Sequence, residues 1–381
     1  MKERSILFKN GQVLQDRSWK RLALLVSGRR IEGVGSGFFH QKSLYGIVNA
    51  RGCYVVPGWI DLHLHADRPG DFFKNLSEIS KSHAAFGTTR FLATFCASSL
   101  EQYRYFGRGL KEFAHELPGA KILGGHIEGP FINPSKAGAQ PRRWIRKVDL
   151  NLLSKIIRAF EGSLKIVTLA PELDGIDKVI AELRKKKIVV SLGHTDSGLD
   201  DARRAIEKGA RYTTHLFNQM RPMHHRDPGV TLAALMDDRM AVELIADGYH
   251  LHPDMLPLVL KLKKWEKIVL ATDCFVKLGK KETQAPPRLS DGTLAGSSLS
   301  LRRAVLNLVK FSGSRLEDVL ACVTTSPSGV LGMSDRFGRL SPGFMADIVI
   351  LNHKFEVQMT MVEGKLVYCH PKFCGQIDLE N

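Results

Sequence analysis

Five apolar, strand-like runs of this chain each end in residues that can bind a metal ion. The ligand-type residues at these five ends are His63, His65, Glu128, His194, His215 and Asp273. In an eight-stranded parallel barrel the carboxyl ends of all strands meet in one ring, where active sites form. Such a barrel would bring together residues as distant in the chain as His63 and Asp273. The pattern therefore predicts a barrel with a centre for one or two metal ions.

The middle of the chain alternates between strand-like and helix-like segments. The predicted strands cover residues 55–62, 89–95, 121–127, 164–169, 188–192, 211–214, 241–246 and 268–272. Helical patterns lie between most of them, and several of these patterns end in Gly or Gly-Ala. Eight such units are the number that closes a barrel. We therefore predict an α/β fold, with a (β/α)8 TIM-like barrel as the catalytic domain over residues 58–339.

The two ends of the chain have a different pattern. Residues 1–57 and 340–381 contain short alternating strands with turn signals, as in SILFKNGQVL and ADIVILNHKF. Neither segment can bury much apolar surface by itself, since a few isolated strands are marginal in water. We predict that the two segments join in one small, discontinuous β-sandwich domain, into which the barrel is inserted.

Composition and charge argue against several classes of protein. No apolar run approaches the roughly 20 residues of a membrane span, and the N-terminal residues turn polar too early for a secretory signal. The six cysteines form no CxxC pair, so we expect neither a disulfide framework nor a zinc ribbon, and a cytoplasmic location. The net charge of +16 is dispersed in short clusters typical of solvated helix ends rather than of a nucleic-acid surface. A basic surface would still attract anionic substrates.

The residue types at the strand ends favour a catalytic metal centre. His63 and His65 are two positions apart on a predicted strand, so their side chains point to the same face. Glu128 precedes Gly-Pro in a fixed loop and could bridge two cations with its two oxygens. With His194 and His215 it forms a His–His–Glu set, which is typical of catalytic zinc or a related ion with an open water position.

A proton acceptor is also predicted at this ring. A bound metal ion lowers the pKa of its water from about 15.7 to about 7. Asp273 follows the eighth predicted strand, where it could accept the proton of that water and return it to a leaving group. Alternatively, Asp273 is a helix cap, and each histidine after an apolar run is a buried structural residue.

The order and spacing of several motifs match a known family. The motifs are PGWIDLHLHA, HIEGPF, SLGHTDS, THLFNQMRPMHHRDPG, LIADGYHL, ATDC and LAGSSLSLRRAV. Over essentially its whole length, the chain resembles the N-acetylglucosamine-6-phosphate deacetylase family of the amidohydrolase superfamily. HLFN followed by HHRDPG is specific to that family, whereas HxH is shared by the whole superfamily.

The resemblance implies cofactors, partners and further site residues. It implies one or two Zn or Fe ions per chain, a homodimer, and a small phosphorylated amino sugar as substrate, with no nucleic-acid or membrane partner. Asn218 and Gln219 correspond to the loop that holds the sugar phosphate, and His250 to a substrate-contacting histidine. Arg226 resembles the arginine that pairs with the phosphate across a dimer interface, a role that suits a guanidinium group.

The chain departs from the family's motifs at three places. Gln140 stands where the family usually has a histidine that is thought to polarise the acetamide carbonyl, and the Gln side chain can donate an N–H there. The Gly-rich turn after HLH is replaced by HADRPGD, which adds Asp67 and Arg68. Gln219 is larger than the alanine often found at its position. These departures concern substrate identity or rate more than metal binding.

One main function is predicted, and alternatives stay open. The main prediction is hydrolysis of N-acetyl-D-glucosamine 6-phosphate to D-glucosamine 6-phosphate and acetate. Within the superfamily, the alternatives are N-acetylgalactosamine 6-phosphate, another anionic amide, or a cyclic ureide. A different class is a catalytically silent barrel used for binding or assembly. The complete ligand set argues against that class, while Gln140 leaves it open.

Overall fold

A computed structural model describes residues 5–36, 45–65, 72–113, 116–275 and 285–378 of the chain. The strands in these ranges form three sheets, of five, six and eight strands. In chain order the strands are β1 (Ser5–Lys9), β2 (Gln12–Gln15), β3 (Ser18–Arg21), β4 (Ala23–Ser27), β5 (Arg30–Gly35), β6 (Tyr45–Asn49), β7 (Tyr54–Pro57), β8 (Trp59–His65), β9 (Thr88–Phe95), β10 (Lys121–Glu128), β11 (Leu164–Leu169), β12 (Val189–Leu192), β13 (Tyr212–Thr213), β14 (Ala241–Leu244), β15 (Ile268–Leu270), β16 (Ile348–Leu351), β17 (Val357–Val362), β18 (Lys365–Cys369) and β19 (Ile377–Asp378).

Helices follow the strands of the middle region, as the alternating pattern predicts. In chain order, the α-helices of the described ranges are α1 (Phe72–Ala84), α2 (Leu100–Phe113), α3 (Leu150–Ala159), α4 (Ile176–Lys185), α5 (Leu199–Lys208), α6 (Gly229–Met236), α7 (Met255–Leu262), α8 (Leu301–Ser312), α9 (Leu316–Val319), α10 (Thr325–Val330) and, in the C-terminal segment, α11 (Pro371–Cys374). Within the described ranges, no helix combines the length and the apolar character that crossing a membrane requires.

The eight-stranded sheet is the predicted barrel. Strands β8 to β15 lie side by side in chain order and pair in parallel. The first and last strands meet through a bridge between Leu64 and Cys274, and the main-chain N–H of Asp273 donates to the His63 carbonyl at 2.8 Å. Helices α1 to α7 connect successive strands and cover the sheet, which explains why every residue of β9 is buried. The prediction of a (β/α)8 barrel is confirmed.

The chain changes sheets at Gly58. The single strand predicted over 55–62 is wrong, because β7 belongs to the six-stranded sheet and β8 to the barrel. A Cβ atom at Gly58 would overlap the side chain of Thr89, so glycine allows the close approach of the chain to β9 at this point. Apolar residues continue on both sides of the change, and the sequence pattern therefore does not show it.

The two ends of the chain share the other two sheets. In the six-stranded sheet β7 pairs with β16, and in the five-stranded sheet β6 pairs with β19. A buried cluster that includes Phe8, Leu24, Ile350 and Met361 draws residues from both ends of the chain. The predicted domain bounds, 1–57 with 340–381 around a barrel of 58–339, stay predictions.

A buried ion pair connects the barrel with the C-terminal strands. Arg90 of β9 donates from Nε to Asp347 at 2.6 Å and from Nη1 to Glu363 at 3.0 Å. Asp347 also accepts the main-chain N–H of Glu363 at 2.8 Å. Separating a buried pair would leave a charge without compensation, so the three side chains stay in contact. These contacts therefore fix how β9 meets the turn after β17.

One cysteine pair is bonded, although the sequence predicts no disulfide framework. Cys369 and Cys374 form a disulfide, with their Cα atoms 5.9 Å apart. Helix α11 turns the chain back on the end of β18 and so brings the two sulfur atoms together. The two cysteines are five positions apart, so they do not match the CxxC pattern. Within the described ranges, Cys53, Cys96 and Cys322 are not part of a disulfide.

Candidate metal centre

The six predicted ligand-type residues lie at one end of the barrel. His63 and His65 are at the end of β8, Glu128 is the last residue of β10, and His194, His215 and Asp273 follow the ends of β12, β13 and β15. All six side chains are buried. Parallel strands place their carboxyl ends on the same side of a barrel, so residues separated along the chain meet here.

Two sets of donor atoms share the Glu128 carboxylate. In the first, the His194–His215 set, Glu128 Oε1 lies 3.1 Å from His194 Nε2 and 3.2 Å from His215 Nε2, and the two nitrogen atoms are 3.2 Å apart. In the second, the His63–His65 set, Glu128 Oε2 lies 3.6 Å from His63 Nε2 and 3.3 Å from His65 Nε2, and these nitrogen atoms are 3.1 Å apart. Each set could hold a metal ion.

The spacing of these atoms matches a small divalent ion. Bonds of roughly 2.0–2.1 Å at tetrahedral angles place the ligand atoms of zinc about 3.3 Å from one another. The three edges of the His194–His215 set, at 3.1–3.2 Å, are close to that length. Asp273 Oδ1 adds a fourth atom to the His63–His65 set, at 3.3 Å from His63 Nε2 and 3.2 Å from His65 Nε2.

The contacts of the Nδ1 atoms of His194 and His215 indicate where the Nε2 lone pairs of these rings point. His194 Nδ1 lies 2.8 Å from the Lys136 carbonyl oxygen, and His215 Nδ1 lies 3.1 Å from the Asn218 carbonyl oxygen. A carbonyl oxygen only accepts hydrogen bonds, so both Nδ1 atoms carry the proton of the neutral ring. Both Nε2 lone pairs then point at Glu128 Oε1. Three electron-rich atoms this close repel one another unless a cation lies between them, so the residues fit a metal ion.

The charges around the centre also favour a cation. Burial lowers the pKa of His63, but the carboxylates of Glu243, Asp273 and Glu128 outweigh burial and hold this pKa well above its usual value. Burial raises the pKa of Asp273, but His63 and His65 outweigh burial and lower this pKa to about 2. Asp273 is therefore a carboxylate at neutral pH.

Three of the ligand-type residues have a left-handed backbone conformation. The φ angles are 49° at His194, 31° at His215 and 49° at Asp273. Residues other than glycine rarely adopt this conformation, and such strain is concentrated at functional sites. Each of the three residues lies just after a strand, where the chain turns and the side chain must still face the barrel axis.

A cavity of about 260 Å³ opens onto both ligand sets. The predicted catalytic residue Gln140 and the predicted substrate-binding residues Asn218, Gln219 and His250 line this cavity, together with Cys96 and Phe275. His250 is oriented by Asp247, whose Oδ2 accepts from His250 Nδ1 at 2.7 Å. The roles assigned to these residues from the sequence stay predictions.

The Gln140 side chain is held at both ends of its amide. Its Nε2 donates to Glu128 Oε2 at 2.8 Å, and its Oε1 accepts the main-chain N–H of Ala97 at 2.9 Å. The Ala97 contact determines which end of the amide is the NH₂ group. One hydrogen of that group is used by Glu128, and the second is left for a group in the cavity. The contact with Glu128 is a feature that the sequence analysis missed.

Arg226 lies outside the cavity of its own chain. It is exposed in the turn between β13 and α6, where its Nη1 is 3.0 Å from His225 Nε2. The resemblance assigns Arg226 to the phosphate of a second copy, and this role stays a prediction. Asp67 and Arg68, the charges that replace the family's Gly-rich turn, lie outside the described residues.

Two further polar residues near the ligand-type residues were not predicted from the sequence. Glu243 of β14 is 2.8 Å from His63 Nδ1 and accepts from the Tyr212 hydroxyl at 2.8 Å. Asp61 of β8 accepts from Thr272 Oγ1 at 2.7 Å. Their sequence signal is a single acid within an apolar run, as in AVELIA and GWIDLHL. That signal is too common to assign a role without the contacts.

Comparisons with known proteins agree with the geometry. Residues 54–367 match the Amidohydrolase family. The chain is 37% identical over 334 residues to N-acetylglucosamine-6-phosphate deacetylase of Bacillus subtilis (strain 168), covering 82% of this chain and 84% of that protein. It is 32% identical over 332 residues to N-acetylgalactosamine-6-phosphate deacetylase of Escherichia coli O157:H7, covering 82% and 87%.

Solved structures give the same result. The crystal structure of N-acetylglucosamine-6-phosphate deacetylase from Thermotoga maritima aligns with a TM-score of 0.85 and 31% identity, covering 96% of this chain and 100% of that chain. The structure of the same enzyme from Pasteurella multocida aligns with a TM-score of 0.87 at 26% identity, covering 95% and 99%. The chain therefore belongs to the amidohydrolase family and, within it, to the N-acetylglucosamine-6-phosphate deacetylases.

Proposed function

We propose that this protein hydrolyses the acetamide of N-acetyl-D-glucosamine 6-phosphate to D-glucosamine 6-phosphate and acetate. The observation that carries the proposal is the Glu128 carboxylate, which has a set of buried imidazoles at each oxygen. The cavity beside it is lined by hydrogen-bonding side chains that suit a sugar. A relative that carries this activity in its name is 37% identical to the chain over 82% of its length.

The proposed cofactor is Zn or Fe, one or two ions per chain. Glu128, His194 and His215 would hold one ion, and His63 and His65 with the other Glu128 oxygen would hold a second. When bound, such an ion activates water and polarises the amide carbonyl. The buried position of the ligands excludes bulk water, which strengthens every electrostatic interaction in the site.

Two residues are proposed to act on the reacting atoms. Asp273 accepts the proton of the attacking water and passes it to the amine nitrogen as the amide C–N bond breaks. Its pKa of about 2 keeps it available as an acceptor at neutral pH. Gln140 donates its remaining N–H to the carbonyl oxygen, where negative charge develops during the attack.

The substrate's phosphate is proposed to lie between two copies of the chain. Asn218 and Gln219 of one chain would hold the sugar phosphate. Arg226 is not among the residues that line the cavity of its own chain, and it would reach the phosphate of a partner in a homodimer. The proposed location is the cytoplasm, without a nucleic-acid or membrane partner.

N-Acetylgalactosamine 6-phosphate is a second candidate substrate. A deacetylase named for that sugar phosphate is 32% identical to the chain over 82% of its length. The two sugars differ only in the configuration of one hydroxyl group. Discrimination between them must take place at that hydroxyl group, and assays of both compounds are required.

One experiment tests the proposal as a whole. Acetate release is measured on a panel of N-acetyl sugar phosphates and their unphosphorylated forms, and metal content is measured on the same sample. We expect at least one equivalent of divalent metal per chain and the fastest release from N-acetyl-D-glucosamine 6-phosphate. A protein with less than about a tenth of an equivalent, unrecovered by added Zn or Fe, would contradict the metalloenzyme assignment. A metal-loaded protein without acetate release would favour another amide, a cyclic ureide or a binding role.

A further inference from the structure

Glu243 lies beneath the metal centre and contacts one residue from each ligand set. Its side chain is in the barrel interior and is fully buried. Oε1 accepts from His63 Nδ1 at 2.8 Å and from the main-chain N–H of His215, also at 2.8 Å. Oε2 accepts from the Tyr212 hydroxyl at 2.8 Å. A single carboxylate oxygen therefore connects the two halves of the centre.

The contact with Glu243 determines which nitrogen atom of His63 can bind a cation. A histidine ring that binds a metal ion is neutral, and because an ionised carboxylate only accepts hydrogen bonds, the single ring proton then lies on Nδ1. The Nε2 lone pair is then directed at the His63–His65 set. Without an acceptor at Nδ1 the proton can move to Nε2, and a protonated Nε2 cannot be a ligand. His63 is fully buried, so bulk water does not replace the acceptor.

The ligand set at His215 depends less on Glu243. Glu243 accepts the main-chain N–H of His215, where φ is 31°, and so helps to hold a strained conformation. The His215 ring has its own acceptor, because Nδ1 is 3.1 Å from the Asn218 carbonyl oxygen. The His194 ring is oriented separately, because its Nδ1 is 2.8 Å from the Lys136 carbonyl oxygen. Loss of Glu243 should therefore affect the ring of His63 more than the rings of the other set.

We propose that Glu243 is a positioning residue that fixes the tautomer and the orientation of His63 and thereby builds the second metal position. The proposal rests on the proposed metal centre, and it adds a residue that contacts neither metal nor substrate. Removing a residue that orients a metal-binding histidine typically lowers metal affinity by 10- to 100-fold. A residue that merely fills the barrel interior would change stability and leave the number of bound ions the same.

The test uses three substitutions in the full-length protein. Glu243→Leu removes the acceptor. Glu243→Gln keeps a carbonyl oxygen for His63 while its NH₂ group can donate to Tyr212. Tyr212→Phe is the matched control, because it removes a buried hydrogen bond from Glu243 and leaves the contact with His63. Each protein is stripped with a chelator and titrated with Co²⁺. Bound metal is measured by elemental analysis, and the metal environment by visible absorption.

We expect two ions in the parent and in Tyr212→Phe. Glu243→Leu should retain one ion, with the absorption spectrum of His63→Asn, which removes a ligand from the same position. Glu243→Gln should bind two ions, the weaker of them about tenfold less tightly than in the parent. Circular dichroism verifies that each variant is folded.

Several results would overturn the proposal. Two ions in Glu243→Leu, bound as tightly as in the parent, would show that His63 does not need the acceptor. Equal loss of both ions would show that Glu243 supports the whole centre rather than the His63 position. If Glu243→Leu does not fold, Glu243→Gln decides, and unchanged affinity for both ions overturns the proposal. A parent that binds one ion also overturns it, whereas a parent without metal contradicts the proposed function instead.

Discussion

Asp273 is the residue with the most closely defined chemistry in the centre. Its Oδ1 lies 3.2–3.3 Å from two ring nitrogen atoms, and its main-chain N–H bonds to His63 across the closure of the barrel. Asp273→Asn keeps size and removes the proton acceptor. We expect turnover to fall by about 10²–10⁴, the usual magnitude for general acid–base catalysis, with the fold retained. Steady-state rates and circular dichroism measure both effects.

The same variant tests whether Asp273 is also a ligand. Because its Oδ1 joins the His63–His65 set, we expect Asp273→Asn to lose part of the metal at that position. Metal content that equals the parent's would restrict Asp273 to proton transfer. Turnover near that of the parent would remove Asp273 from the mechanism.

A second prediction about a single residue concerns Gln140. Removing one donor to an oxyanion typically costs about 10²–10³ in rate, so we expect a loss of that size for Gln140→Ala. Gln140→His restores a ring N–H donor and should retain or raise activity. Neither variant is expected to lose metal, because Gln140 is not a proposed ligand. Rates on N-acetyl-D-glucosamine 6-phosphate and metal content are measured together.

Three outcomes for Gln140 would change this interpretation. An alanine variant as fast as the parent would disprove the oxyanion role. Metal loss in that variant would show that the 2.8 Å contact with Glu128 is what matters. An inert parent with an active Gln140→His variant would indicate a different natural substrate.

At the scale of elements, helix α1 contains a buried histidine that affects stability. His83 near the end of α1 is fully buried, and neither ring nitrogen has a hydrogen-bond partner among the described residues. Burial lowers the pKa of His83 to about 3. The ring therefore stays neutral in the folded protein at pH values where an unfolded chain takes up a proton, near its ordinary pKa of about 6.5.

The sign of the resulting pH dependence follows from linkage. The folded pKa is below the unfolded pKa, so the contribution of His83 to stability is complete above about pH 6.5 and is lost as the pH falls towards 3. Between pH 8 and pH 5 this loss amounts to about 2 kcal/mol. His83→Leu removes the titrating group. We expect the unfolding free energy of the parent to fall by about 2 kcal/mol more than that of the variant over this range.

Urea denaturation of the metal-free proteins at pH 8 and pH 5 measures the difference. Metal is removed because protonation of the ligand histidines would otherwise change stability over the same pH range. The same pH dependence in the parent and the variant would contradict the prediction. It would mean that His83 takes up a proton in the folded state, for example through water that enters beside α1.

At the level of the whole molecule, Arg226 is proposed to connect function with assembly. It is exposed and does not line the cavity of its own chain, and its proposed role is at the phosphate in a second copy. A lost charge-assisted hydrogen bond is worth about 1.5–3 kcal/mol. We expect Arg226→Ala to lower kcat/KM for N-acetyl-D-glucosamine 6-phosphate by about one to two powers of ten. Unphosphorylated N-acetylglucosamine should be affected much less.

Arg239→Ala is the matched control for this prediction. It removes the same charge from a side chain that is about half exposed, where the guanidinium contacts Asp237. This control should leave both substrates unchanged. Equal losses on the two sugars in Arg226→Ala would show that Arg226 does not recognise phosphate. A monomeric parent in sedimentation would contradict the dimer through which it is proposed to act.

The barrel and the residue types at its strand ends could be predicted from the sequence. Apolar periodicity shows whether a segment is a strand or a helix, and every parallel barrel gathers its strand ends in one ring. The residues His63, Glu128, His194 and Asp273 could therefore be assigned to one place before any contact was known. Their spacing along the chain was enough because the fold supplies the rest of the geometry.

Features that depend on which side chains meet could not be predicted in this way. The change of sheet at Gly58 follows from close packing against Thr89, and the contacts of Gln140 with Glu128 and of Glu243 with His63 join residues from separate strands and loops. Arg226 was placed outside its own cavity in the same way. Periodicity records only the side on which a residue lies, whereas hydrogen bonds depend on distances of a few tenths of an ångström that packing of the complete barrel sets.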